Sequence, residues 1–148
     1  DEGAREIAQA LKVNSTLREI HVYGNPIVAE IEYEIKSCLN KNSQVEAALK
    51  DIQEGIKTEI SLYAAGIGYE RVKRVAEALK LNHTVIKIYL CLNNIGVEGA
   101  REIAQALKVN STLREIYLDD KNIGAEIMDE IKILLKNNLE NYKLECRM

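Results

Sequence analysis

The sequence has no tryptophan, no phenylalanine and a single proline, Pro26. Its longest apolar runs are only a few residues, well short of the roughly 20 that a spanning helix requires. No basic-then-apolar leader opens it, so the reading is of a chain with no membrane partner. Cysteine is scarce: Cys38, Cys91 and Cys146 are an odd number in no CxxC or CxH spacing. That pattern suits thiols kept reduced in a cytoplasmic setting and argues against a disulfide scaffold and a zinc site. Positive charge is not in excess either. A net charge of −3 gives no electrostatic footprint for nucleic acid. Also missing are paired carboxylates with an acid/base split, a phosphate-binding glycine loop and any metal spacing. The chain therefore reads as no enzyme, with no catalytic residue, no metal site and no cofactor.

What is present is repetition. Residues 2–20 read EGAREIAQALKVNSTLREI and residues 98–116 read the same, nineteen identical residues at an offset of 96. Duplication on that scale marks a repeat array. With 47% apolar and 29% charged residues, the 148-residue chain has the make-up of one domain with a substantial core. Ala4, Ile7, Ala8 and Leu11 form the i, i+3, i+4, i+7 stripe of an amphipathic helix. Asn14 closes that pattern, and asparagines recur at 42, 82, 110 and 138 at the ends of further helical patterns. The expected reason is that asparagine tolerates the left-handed conformation just past a helix. Their spacings of 28, 40, 28 and 28 define a 28-residue period with one insertion of 12.

After each asparagine the apolar period changes from 3.6 to 2, which predicts strands at 17–22, 57–62, 85–90, 113–118 and, less regularly, 142–146. Helices are expected at 1–14, 28–41, 69–81, 97–109 and 125–137. Ile67, Ile95 and Ile123 each precede a glycine (Gly68, Gly96, Gly124) that lets the chain turn sharply into the next helix. Pro26 and Val28 make the first turn a variant. A helix between successive strands requires those strands to be parallel. The fold class is therefore α/β, a curved solenoid or horseshoe with a parallel β-sheet on the concave face and α-helices on the convex face. The insertion at 43–54, SQVEAALKDIQE, reads as a short extra helix ended by Gly55. It is either a tolerated rim element or a docking feature. Residues 1–14 and 139–148 are the helical half and the strand half of incomplete repeats.

Leu17-xx-Ile20-x-Val22-xx-Asn25, Val85-xx-Ile88-x-Leu90-xx-Asn93 and Leu113-xx-Ile116-x-Leu118 resemble the leucine-rich repeat core LxxLxLxxN. The 28-residue period and the NNIGVEGAREIAQAL text at 93–107 are similar to the ribonuclease-inhibitor-like class. That class includes ribonuclease inhibitor, the Ran GTPase-activating protein, tropomodulin and the sensor ends of NOD-like receptors. The resemblance implies a protein binder. It also implies that Asn25 and Asn93 bond neighbouring loops, with looser packing where Ala65 and Lys121 stand in that place.

By strand alternation, the positions between the core leucines face the open concave side. They form columns: Glu19, Glu59, Lys87, Glu115 and Lys143; His21, Ser61, Tyr89, Tyr117 and Glu145; Tyr23, Tyr63, Cys91, Asp119 and Arg147. Tyrosines with few rotors and a polar tip are favoured on binding surfaces, although tyrosine also simply prefers strands. Glu19, His21, Tyr23, Glu59, Tyr63, Lys87, Tyr89, Cys91, Glu115, Tyr117 and Asp119 are the candidate partner-binding residues. The excess of carboxylates there suits a protein partner with a basic patch. Two other readings stay open. The class resemblance implies a GTPase activator of the Ran-activator type, although the inner turns offer no arginine before Arg147. The incomplete end repeats point either to self-association through the solenoid ends or to missing halves that lie in a longer parent protein, the ends here merely fraying.

Overall fold

The computed structural model describes residues 1–148, the side chain of Asp120 excepted. Among the described residues the chain runs α1 (Glu2–Val13), α2 (Ala29–Glu54), β1 (Glu59–Ser61), α3 (Gly68–Leu81), β2 (Lys87–Tyr89), α4 (Gly96–Leu107), β3 (Glu115–Tyr117) and α5 (Ala125–Glu145). A single 3-10 turn at Asp120–Asn122 leads into α5. The strands form one parallel sheet in the order β1-β2-β3. Glu59 pairs with Lys87 and Lys87 with Glu115, so each step across the sheet is one 28-residue repeat. Successive helices pack on one another, and Ile60, Ile88, Leu62 and Leu90 point from the sheet into a core shared with Val72, Val75, Leu79, Ile103 and Leu107. The result is a leucine-rich-repeat-like α/β arrangement. Gly68, Gly96 and Gly124 have φ of 60°, 72° and 86°, the left-handed turn into each helix that those glycines predict.

The asparagines work differently from the expectation. Asn14 and Asn82 are extended, with φ of −72° and −87°, so the left-handed rationale is wrong for both. Their side-chain oxygens instead accept from the backbone N–H groups two and three residues on: Thr16 and Leu17, Thr84 and Val85. Asn110 does the same for Thr112 and Leu113. The amide nitrogens reach back to the preceding repeat: Asn82 to Ile52 O, Asn110 to Leu79 O and Asn82 O, Asn138 to Asn110 O and Leu113 O. A buried ladder of this kind satisfies carbonyls that the helix ends leave open.

Three predicted elements are corrected. Residues 17–22 form no strand, because among the described residues no neighbouring strand pairs with them. Residues 142–146 are helical as far as Glu145. A strand there would need a partner for its backbone, whereas continuing α5 satisfies those groups internally, and Tyr142 instead lies under the Arg114 guanidinium at 3.7 Å. The half repeat at 139–148 is thus no strand half. The insertion at 43–54 is not a separate helix either. Ile31, Ile35, Cys38, Asn42, Val45, Leu49 and Ile52 are all buried and keep one alternating 4,3 spacing, so a single apolar stripe carries α2 through the insertion to Gly55, where φ is 63°.

The core has two parts. α1 and the first half of α2 enclose Ala4, Ala8, Leu11, Ile31, Ile35 and Cys38; the rest of the chain encloses the larger cluster. Between them lies Arg71, 4% exposed. Its guanidinium donates to Asn42 Oδ1 at 2.6 Å, Asn14 O at 3.1 Å and Leu11 O at 3.3 Å. Burial pushes the Arg71 pKa down from its ordinary value. Facing the carbonyl end of α1, this cation also meets the negative end of that helix's dipole.

Candidate protein-interaction face

In each strand the central isoleucine turns inward, so the residues beside it stand on the opposite, open side of the sheet. The register lines them up in two rows. In the first, Lys87 Nζ lies 3.7 Å from Glu59 Oε1 and 3.3 Å from Glu115 Oε2. The second runs Ser61, Tyr89, Tyr117, and the two tyrosine rings stack with centroids 4.9 Å apart and planes 8° from parallel. Tyr117 Oη donates to Glu115 Oε2 at 3.0 Å, which ties the rows together.

This network moves three titrations. The Glu115 carboxyl is held below its ordinary range by the Tyr117 hydroxyl first and by Lys87 next. Lys87 is raised, chiefly by its bond to Glu115, and Tyr117 is raised by donating to the same carboxylate. Each group favours the protonation state that keeps the others in place, so the face holds the Lys87 ammonium, the Glu115 carboxylate and an ordered aromatic pair together. A cross-strand aromatic pair contributes about 0.5–1.5 kcal/mol beyond its area.

The third column lies where the strands pass into the turns. Tyr63 is 61% exposed and Cys91 is half-buried. Cys91 O accepts from Ala64 N–H at 2.9 Å, and the Asp119 carboxylate accepts from Leu92 N–H. Asp119 therefore holds the turn after β2 as well as adding charge. Asn93 is buried and bonds Leu62 O, Leu90 O and Cys91 O, while its oxygen accepts from Ile67 N–H. Among the described residues Asn25 bonds only Val22 O and Tyr23 O beside it, so the loop-bridging role that the resemblance implied is met at Asn93 and not at Asn25.

Five of the eleven candidates stand on this sheet, Glu59, Lys87, Tyr89, Glu115 and Tyr117, and Tyr63, Cys91 and Asp119 lie just past the strand ends where the turns begin. Glu19, His21 and Tyr23 are not brought into the sheet. They form their own exposed group, with Glu19 Oε1 3.4 Å from His21 Nε2 and the His21 and Tyr23 rings 5.6 Å apart. Lys143 and Glu145 of the outer columns lie on α5, and Arg147 lies just beyond it. Leu92 was missed by the column reading. It is 58% exposed with φ of 59°, a left-handed conformation costly for a branched side chain, beside an open groove of about 660 Å³ between the turns after β2 and β3. A signal existed: the same repeat position holds Gly24 and Ala64, both also left-handed.

No family model matches the sequence, and no curated protein sequence does. The fold, however, has solved neighbours. The leiomodin-1 domain termed Actin-Binding Site 2 is similar at 18% identity and a TM-score of 0.54, covering 95% of this chain and 91% of that one. A tropomodulin C-terminal domain from Caenorhabditis elegans aligns at 12% identity and a TM-score of 0.31, over 68% of this chain and 96% of that one. The leiomodin-1 likeness spans nearly all of both chains and agrees with the repeat-like arrangement described above. Among the described residues, no group of three or more histidines, cysteines, aspartates or glutamates is placed to hold a metal ion, and no helix is long and apolar enough to cross a membrane.

Proposed function

We propose that this chain is a protein-binding module, a solenoid of the ribonuclease-inhibitor-like class curved as a horseshoe, which holds a protein partner on the concave side of its sheet in a cytoplasmic setting. The observation that carries the reading is the Tyr89–Tyr117 stack, braced by the Tyr117–Glu115–Lys87 bonds. Large side chains already ordered before contact lose little freedom on binding, so more of their contact energy appears as affinity. Around them Glu59, Glu115 and Asp119 outnumber Lys87, which favours a partner segment rich in lysine and arginine. Tyr63 extends the same surface. The leiomodin-1 domain of similar fold is termed an actin-binding site, which supports a protein as the class of partner.

The test is affinity capture from cytosol, with purified actin as the first defined probe, followed by calorimetry on whatever binds. Each buried tyrosine truncation is expected to cost about 1–3 kcal/mol of binding. Tyr89→Ala with Tyr117→Ala should therefore weaken binding by about a hundredfold or more while leaving the circular dichroism spectrum unchanged. Wild-type affinity in that folded double variant would show that the partner binds elsewhere.

A further inference from the structure

The insertion at 43–54 sets the second half of α2 beside the open edge of β1. Thr58 O accepts from Lys87 N–H at 3.1 Å and Leu62 N–H donates to Tyr89 O at 2.9 Å, so the even-numbered residues of this segment turn their backbone to β2. Alternation turns the N–H and C=O groups of Glu59 and Ser61 the other way. Among the described residues β1 pairs only with β2, so those groups meet no strand. An open groove of about 480 Å³ runs along this edge, between Glu59 and Ser61 on one side and Gln44, Ala47, Ala48 and Asp51 of α2 on the other. The edge is open although α1, residues 17–22 and the first half of α2 precede it in the chain, and no residue of 17–22 lines the groove.

We propose that this groove takes an extended segment of a protein partner, added to β1 as a further strand, with a lysine or arginine beside Glu59. The inference rests on the protein-binding reading, to which it adds a second contact, and it gives the insertion a docking role. The sheet itself shows what suits the position. Along the row that ends at Glu59, Lys87 stands between two glutamates, 3.7 Å from Glu59 Oε1 and 3.3 Å from Glu115 Oε2, so acid and base alternate from strand to strand. One step further out, the alternation calls for a base. Asp51 already holds Lys57 at 2.7 Å, which leaves Glu59, exposed, as the carboxylate that meets an incoming strand. The chain's own segments are the wrong occupants. In-register addition of residues 17–22 or of a second copy's β3 sets Glu19 or Glu115 directly opposite Glu59, like charge against like charge. The partner residue next to the base stands beside Ile60 and turns inward by alternation, toward Ala47 and Ala48, whose short side chains leave room for an aliphatic group.

The probes are two end-blocked synthetic peptides, Ser-Thr-Val-Lys-Ile-Ser-Val-Ser and the same peptide with glutamate in place of lysine, titrated into the 148-residue chain and followed by NMR. The lysine peptide should shift the Gln44, Ala47, Glu59 and Ser61 amides saturably and slow hydrogen exchange at Glu59 and Ser61. The glutamate peptide should bind roughly tenfold more weakly. Glu59→Lys should reverse that order, and Ala47→Trp, at an exposed helix position, should block both peptides at unchanged helicity. The titration makes no use of Tyr89 and Tyr117, so its failure leaves the sheet-face reading standing, and failure of that reading is seen instead in the tyrosine double variant. No saturable shift, shifts confined to other surfaces, equal affinity for the two peptides, or an order that survives Glu59→Lys would each overturn the proposal.

Discussion

Residues 2–20 and 98–116 are the same nineteen amino acids, yet they differ in structure. Both begin with a helix that packs on a longer helix downstream, α1 on α2 and α4 on α5, and both are held by equivalent bonds: Asn42 to Asn14 O and Leu17 O, Asn138 to Asn110 O and Leu113 O. The second copy is stacked on α3 and β2, and among the described residues the first has no equivalent neighbour. In the second copy Leu113 is 1% exposed and Glu115–Tyr117 is a strand; in the first copy Leu17 is 41% exposed and no strand forms. Local sequence therefore decides the helix and the asparagine cap, while the strand depends on a neighbour to pair with. In a repeat protein such nearest-neighbour contacts supply a large part of each repeat's stability.

The sharpest way to break the comparison is to truncate the equivalent leucines. Leu113→Ala should destabilise the chain by about 3 kcal/mol as a buried cavity, and Leu17→Ala by less than about 1 kcal/mol, measured by urea unfolding. Equal losses would mean that the first copy is buried after all. Next is Arg71, which fills the gap where α2 separates the first copy from the rest. Arg71→Ala leaves Asn42 Oδ1 and two carbonyls without this donor and should cost about 2 kcal/mol, read as a lower melting temperature.

The glycines sharpen it further. One 28-residue period after Arg71, Gly99 has no room: a Cβ would run into the Ile95 side chain and sit 2.9 Å from Val72. Gly99→Ala should destabilise by about 1–2 kcal/mol, whereas Gly3→Ala, in open space within a helix, should stabilise by about 0.5 kcal/mol. Opposite signs from one substitution in one sequence context are the expected outcome. The smallest effect lies just past the two copies, where Tyr117 follows the second and His21 follows the first. The folded pKa of Glu115 is depressed, so its contribution is present above the unfolded carboxyl range and is lost as pH falls through the folded value. Tyr117→Phe removes the leading cause of that depression. The Glu115 carboxyl titration, followed by NMR, should move back up toward the ordinary carboxylate range.

Much of this was legible in the residues. The period appears in the asparagine spacing because those side chains bridge consecutive repeats, and it reappears unchanged in the pairing of Glu59, Lys87 and Glu115. The stacked tyrosines follow from that register plus alternation. What could not be read was whether a strand-competent segment has a neighbour. Residues 17–22 alternate as well as residues 57–62 do and residues 142–146 less regularly, and period alone does not separate a short strand from unpaired chain or from a helix end. Helix α2 was legible in retrospect. The phase of its apolar stripe is unbroken through Asn42, a polar residue whose amide is fully engaged by Asn14 O, Leu17 O and Arg71, so the asparagine interrupts hydrophobicity without interrupting the helix.

Amide hydrogen exchange tests the dependence of the strand on a stacked neighbour most directly, because it reads the two copies in one sample. Arg114 and Glu115 donate to Ile86 O, whereas the chemically identical Arg18 and Glu19 have no backbone acceptor among the described residues. Slow exchange is expected at Arg114 and Glu115 and near-unprotected exchange at Arg18 and Glu19. Equal protection at the two pairs would contradict that dependence.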